Sequence, residues 1–158
     1  AENLRVFRAL RFSMIVDANG NAVVTHEIVN PEKLRVGPYV DQIHHNVNRL
    51  VTSFFTTWSM FVVGSRTLQN DMKEWKLTGP GGTRIIKPQF EQTAGGLLLS
   101  SYHTNFEPTG TGIKTTLDVQ IEYTELRGMK LPHRIRIKGI YGSEPVEAEL
   151  DFNQIRLN

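Results

Sequence analysis

One stretch of this chain repeats every three or four residues, while most of what surrounds it repeats every two. Val40, Ile43, Val47, Leu50, Phe54, Trp58 and Phe61 fall on one helical face, and Val51, Phe55 and Val62 widen it toward the C-terminal end. The spacing predicts a long amphipathic helix over 39–63, entered after Gly37-Pro38 and stopped by Gly64. Asp41 is placed in its first turn, where the helix dipole favours an anion. No other segment shows this period, so the rest of the chain must bury itself as strands and turns.

Residues 5–29 read as a hairpin, with Leu10, Phe12, Met14 and Val16 alternating with Arg11, Ser13 and Ile15. A two-residue Asn-Gly turn would pair Phe12 with Glu27 and mix the faces. A three-residue loop with Gly20 left-handed pairs Leu10 with Ile28, Phe12 with His26 and Met14 with Val24, and sets Arg11 opposite Glu27. This bulged register keeps each face consistent. Leu34 to Val36 begins another strand.

After the helix, Trp75 and Leu77 lead into Gly79-Pro80-Gly81-Gly82, and Ile85-Ile86 follow as the second arm of a hairpin. Leu97 to Tyr102 reads as a short strand and 103–115, with Pro108, Gly110 and Gly112, as a loop. Leu117, Val119, Ile121 and Tyr123 alternate with polar residues up to a turn at Arg127-Gly128. In the last hairpin a two-residue type II′ turn at Gly142-Ser143 sets Lys138 against Glu147, Arg136 against Glu149 and Arg134 against Asp151. The same register sets Ile135 against Leu150 and Ile137 against Ala148, so one face is a charge ladder and the other apolar.

The sum is an α+β chain of seven to nine antiparallel strands and one helix. Of its 158 residues 39% are hydrophobic and 22% charged, a globular composition with no repeat or linker, so 1–158 read as a single domain. One helix cannot cover so many strands lying flat. The expected solution is a strongly curved sheet, a half-barrel, wrapped around the helix. Phe12, Met14, Val119 and Ile121 from the sheet and Phe54, Trp58 and Phe61 from the helix would line an apolar hollow suited to an apolar ligand.

The absence of cysteine excludes disulfides, thiolate zinc sites and cysteine nucleophiles. No apolar run reaches the ~18 residues of a membrane span. Ala1 in first place fits a removed signal peptide. The net charge of +2, from 18 basic and 16 acidic residues, is too balanced to argue for nucleic acid. The basic stripe Lys130, Arg134, Arg136 and Lys138 is neutralised by the acids of the next strand and has no interleaved aromatics for stacking bases. His44 and His45 point about 100° apart on the helix and do not converge on a metal; Asp41 and His45, four residues apart, share a face as a simple contact. His26, His103 and His133 are scattered. No nucleophile elbow is present, and Ile113 interrupts the phosphate-loop spacing of Gly110 to Thr116. No catalytic residue, metal or cofactor is assigned.

The order of the pieces carries a resemblance. A hairpin is followed by Pro31-Glu-Lys-Leu-Arg35, the helix, Trp75-Lys-Leu77 and Ile85-Ile86-Lys-Pro88. The end runs through Gly128-Met-Lys-Leu-Pro132, Ile135-Arg-Ile137 and Leu150-Asp-Phe152-Asn-Gln-Ile155-Arg-Leu157-Asn158. This resembles the LolA/LolB-type superfamily of periplasmic lipoprotein carriers and outer-membrane lipoprotein-sorting proteins. The resemblance implies an incomplete antiparallel barrel capped by helices, with acyl chains in its hollow, and puts Arg35 forward as the arginine that governs release. The chain departs from the pattern in having one clear helix. The expectation is therefore a non-enzymatic carrier of a lipid or lipoprotein acyl chain, in the periplasm or at the outer membrane, peripheral to the membrane and with an envelope protein as possible partner. The rivals are a structural or interaction module with a filled core, a START-type helix-grip domain, whose long helix usually comes last, and an isomerase or cyclase using a His or carboxylate.

Overall fold

A computed structural model describes residues 10–29, 37–63 and 73–157. The described chain is α+β, with one helix and eight strands, every pairing antiparallel, in a two-stranded and a six-stranded sheet. It divides into two compact units, Ala1–Thr67 and Leu68–Asn158. The one continuous sheet expected from the sequence is thus two sheets, because the first hairpin pairs with itself and the helix intervenes before the next strand. Neither described sheet closes on itself. The expected strand at Leu34–Val36, the helix stop at Gly64 and the candidate Arg35 lie outside the described residues.

In the first unit β1 (Leu10–Val16) and β2 (Ala22–Ile28) pair in the bulged register, Leu10 with Ile28, Phe12 with His26 and Met14 with Val24. Gly20 has φ 82°, the left-handed conformation such a loop demands. Asp17 holds the turn. Its Oδ1 accepts the backbone N–H of Asn19 at 2.8 Å and of Asn21 at 2.9 Å, and its Oδ2 accepts the Asn21 side-chain amide at 2.7 Å. These bonds, the Asn21 amide first, hold the Asp17 carboxyl below its ordinary value.

The helix α1 spans Gly37–Val63, two residues earlier than the spacing predicts. Pro38 is tolerated there because the first helical turn needs no N–H for internal bonds. The earlier start moves Asp41 out of the first turn, which contains no acid, so the expected dipole role for Asp41 does not hold. Leu10 and Val40 are buried together, with Phe12 and Ile43 packed on them. Gly20 is buried against the helix, where an added Cβ would collide with the Ser59 side chain and approach the Phe55 carbonyl oxygen at 2.8 Å.

In the second unit β3 (Trp75–Gly79), β4 (Gly82–Thr93), β5 (Gly96–Pro108), β6 (Thr115–Leu126), β7 (Met129–Tyr141) and β8 (Glu144–Asp151) form an uncrossed meander. The stretch read as a loop, 103–115, is strand as far as Pro108, and the connection is only 109–114. Its polar residues hid the strand, and pairing with both neighbours makes it one: Asn105, for example, faces Ile85 on one side and Thr116 on the other. The last hairpin has the predicted register, and Gly142, with φ 66° beside a Ser143 that is not left-handed, makes the predicted II′ turn. Arg127 and Gly128 are both left-handed, a type I′ turn.

Two bulges control the faces of this sheet. Between the pairs Gln89–Ser101 and Phe90–Leu99, Ser100 is the extra residue. Between Glu122–Arg134 and Tyr123–Pro132, His133 is the extra residue. An extra residue reverses the alternation beyond it. Leu99 therefore joins Tyr102 on the buried face, and Pro132 joins Ile135. The second bulge also accommodates Pro132, which has no N–H for a regular ladder.

The Gly20→Ala variant is expected to lose about 2–4 kcal/mol, from a left-handed residue and a clash combined. Gly81, with open space around it, serves as the control, and Gly81→Ala should stay within ~0.5 kcal/mol in urea unfolding. The unfolded chain holds the Asp17 proton more tightly than the folded one, so the Asp17 contribution is present above the ordinary value of 3.8 and is lost below it. The stability difference between wild type and Asp17→Asn should thus be constant from pH 5 to 7 and shrink as the pH is taken below about 3.9.

Candidate functional site

The predicted site residues fall into two groups. Phe12 and Met14 stand half-buried on the inner face of β1, and Phe54, Trp58 and Phe61 belong to α1. Phe54 is 1% exposed, Phe61 2%, and Trp58 half-buried. Phe55, placed off the main stripe by its spacing, is buried, and it links its neighbours edge to face. Its ring centre lies 5.0 Å from Phe54 at 81° and 5.9 Å from Trp58 at 83°. Two helix hydroxyls bend back on the backbone: Ser59 Oγ donates to the Thr56 carbonyl at 3.0 Å and Thr52 Oγ1 to the Asn48 carbonyl at 2.6 Å.

Val119 and Ile121 belong to the second unit, on β6. They are 2% and 7% exposed. Val119 stands between Tyr102 and Ile137, and Ile121 beside Ile135, in an apolar face that also includes Ile86 and Leu99. The Thr104 hydroxyl is buried in the same face, between Ile86 and Leu117, without a hydrogen-bond partner among the described residues. Such an unmet polar group is uncommon in a native interior and suits water or the polar end of a ligand.

The opposite face is charged. Arg136 Nη1 lies 2.8 Å from Glu122 Oε1 and its Nε 3.1 Å from Glu149 Oε2, while Arg134 Nε is 3.1 Å from Asp151 Oδ1. The hydrogen bond to Asp151, more than any other contact, strengthens the hold of Arg134 on its proton. Lys138 meets Glu147 at 3.4 Å, but Lys130 meets Glu125 of β6 at 3.5 Å instead of an acid of β8. Glu122, which the sequence reading leaves out, bridges both arginines from the preceding strand.

A shallow groove of about 320 Å³ runs over this charged face, bordered by Gln89, Glu91, Ser101, Gln120, Glu122 and Arg136. Of the residues expected to line an apolar hollow, Ile121 alone touches it. Beside it His103 Nδ1 is 2.7 Å from Asp118 Oδ1, a carboxylate that orients the imidazole. Sequence reading leaves His103 without an acid because it places 103–115 in a loop, and only the β5–β6 register brings Asp118 opposite. Ser101 shares the face, but its hydroxyl donates to Gln89 Oε1 at 2.9 Å, so these groups do not assemble a nucleophile.

His44 has a partner that its helix spacing alone does not reveal. His44 turns to β2, where its Nδ1 lies 2.8 Å from Nδ1 of His26, and the Phe12 ring stacks on it at 6.4 Å. Asp41 and His45 are exposed. Among the described residues no three His, Cys, Asp or Glu side chains converge as a metal site. The signal for the pair was available: His26 is opposite Phe12 in the hairpin register, and His44 follows buried Val40 by four residues.

Arg136 is thus occupied by its own acids. A double-mutant cycle of Arg136→Ala and Glu149→Ala should return a coupling of about 0.2–1 kcal/mol, as for an exposed structural pair. Neither known protein families nor curated proteins nor solved structures yield a match to this chain.

Proposed function

We propose that this protein is a non-enzymatic carrier of a lipid or lipoprotein acyl chain, related to the LolA/LolB-type carriers and working in the periplasm or at the outer membrane. The observation that carries the reading is the order of elements: a hairpin, one long helix, then an uncrossed six-stranded antiparallel meander with one apolar face and one charged face. This is the order that the resemblance implies for a sheet that holds an acyl chain. In this reading the acyl chain is taken by apolar side chains: Phe12, Met14, Phe54, Trp58 and Phe61 of the first unit, and Val119 and Ile121 on a six-stranded sheet that curls as a half-barrel. Binding is driven by apolar burial at roughly 25 cal/mol per Å². No described helix is long and apolar enough to cross a membrane.

A second reading, an interaction module of an envelope assembly, is favoured by one observation. Ile15 and Val23 form a cross-strand pair on the outer face of the first hairpin, 74% and 62% exposed. An apolar pair so placed suits a protein partner.

Native mass spectrometry of gently purified protein decides between them. A carrier yields adducts of fatty-acid or phospholipid mass that vanish on denaturation, and Trp58→Ala weakens uptake of a fluorescent fatty acid while the fold survives. A clean mass, no fatty-acid uptake and a Trp58→Ala variant destabilised by about 3–5 kcal/mol would replace the carrier with the filled-core module.

A further inference from the structure

We propose that His26 and His44 form a proton-operated latch between β2 and α1. Their Nδ1 atoms are 2.8 Å apart, hydrogen-bond distance, and both rings are partly buried. An imidazole Nδ1 carries either a proton or a lone pair, so this contact requires one ring to donate and the other to accept. The neutral pair satisfies that requirement, and so does a pair that shares one added proton. A pair with two added protons does not: two N–H groups and two positive charges then face each other, and the rings must part.

Among the described residues no carboxylate is hydrogen-bonded to the pair, and Asp41, one helical turn before His44, is exposed. Phe12 closes one side, with its ring centre 6.3 Å from His26 and 6.4 Å from His44. Arg11 and Glu27 lie on the other face of the hairpin and pair with each other at 3.1 Å. His45, next along the helix, is exposed too. The contrast is His103, which has Asp118 at 2.7 Å. The latch joins β2 to α1, and the Leu10–Val40 cluster joins β1 to the same helix, so release of the latch loosens the hairpin locally while the six-stranded sheet keeps its own pairing. The closed pair binds at most one added proton and the open pair two, so acid favours the open form. Histidine is the side chain that titrates through this range. The device does not depend on what the protein carries.

Hydrogen exchange of the full chain, read by mass spectrometry as protection factors corrected for intrinsic rates, tests the latch. From pH 7.5 to pH 5.0 the protection of peptides covering 10–28 should fall about tenfold relative to those of β6 and β7. In the His26→Gln, His44→Gln double variant that relative fall should vanish. An unchanged ratio in wild type, or the same fall in the double variant, would overturn the proposal. A second measurement uses wild type alone, in case the variant folds poorly. Imidazole 15N shifts at pH 7.5 should show one protonated Nδ1 bonded to one bare Nδ1, and two bare Nδ1 atoms would sink the latch equally.

Discussion

The second unit depends on strand parity. Successive side chains on a strand point to opposite faces, so every apolar residue of a long meander must keep step with its neighbours or surface in water. Ser100 and His133 each add one residue at a bulge, and each restores the buried face beyond it, returning Leu99 to the side of Tyr102 and Pro132 to the side of Ile135. The Ser100 hydroxyl, which donates to the Gln89 carbonyl at 3.1 Å, secures the first of these corrections.

Parity also explains the charged face. Once the apolar residues are committed to one side, Glu122, Arg134, Arg136, Glu149 and Asp151 must share the other, in adjacent strands and in reach of one another. Each exposed pair contributes little by itself. Together they oppose a slip of register, because a one-residue shift would carry the charges to the apolar side. The same network already pairs Glu122 and Arg136 at the border of the groove above it, and the proposed function is placed on the apolar face instead.

In the first unit the decisive contact is steric. Gly20 serves the turn by its left-handed backbone and serves the packing by having no side chain where Ser59 and the Phe55 carbonyl approach. The sequence announces the first role, since a bulged three-residue loop needs such a residue. The second role is invisible until the helix is laid on the hairpin. The same holds for His44, which reads as a helix-face residue and becomes one half of a pair only when β2 brings His26 to it.

Local patterns therefore determined a great deal of this protein. The helix, both arms of the first hairpin with their register, and the charge ladder of the last hairpin follow from period, turn chemistry and the alternation of charge with apolar residues. These are short-range properties, settled within one element or across one tight turn. The tertiary structure alone decided where the middle strands end, that His103 meets Asp118, that Glu122 ties two arginines, and that two sheets form instead of one. Each of these depends on which strands pair and in what register, which the pattern within one strand does not contain. A strand such as 103–108 exists because its neighbours satisfy its backbone, a condition that no reading of its own residues contains.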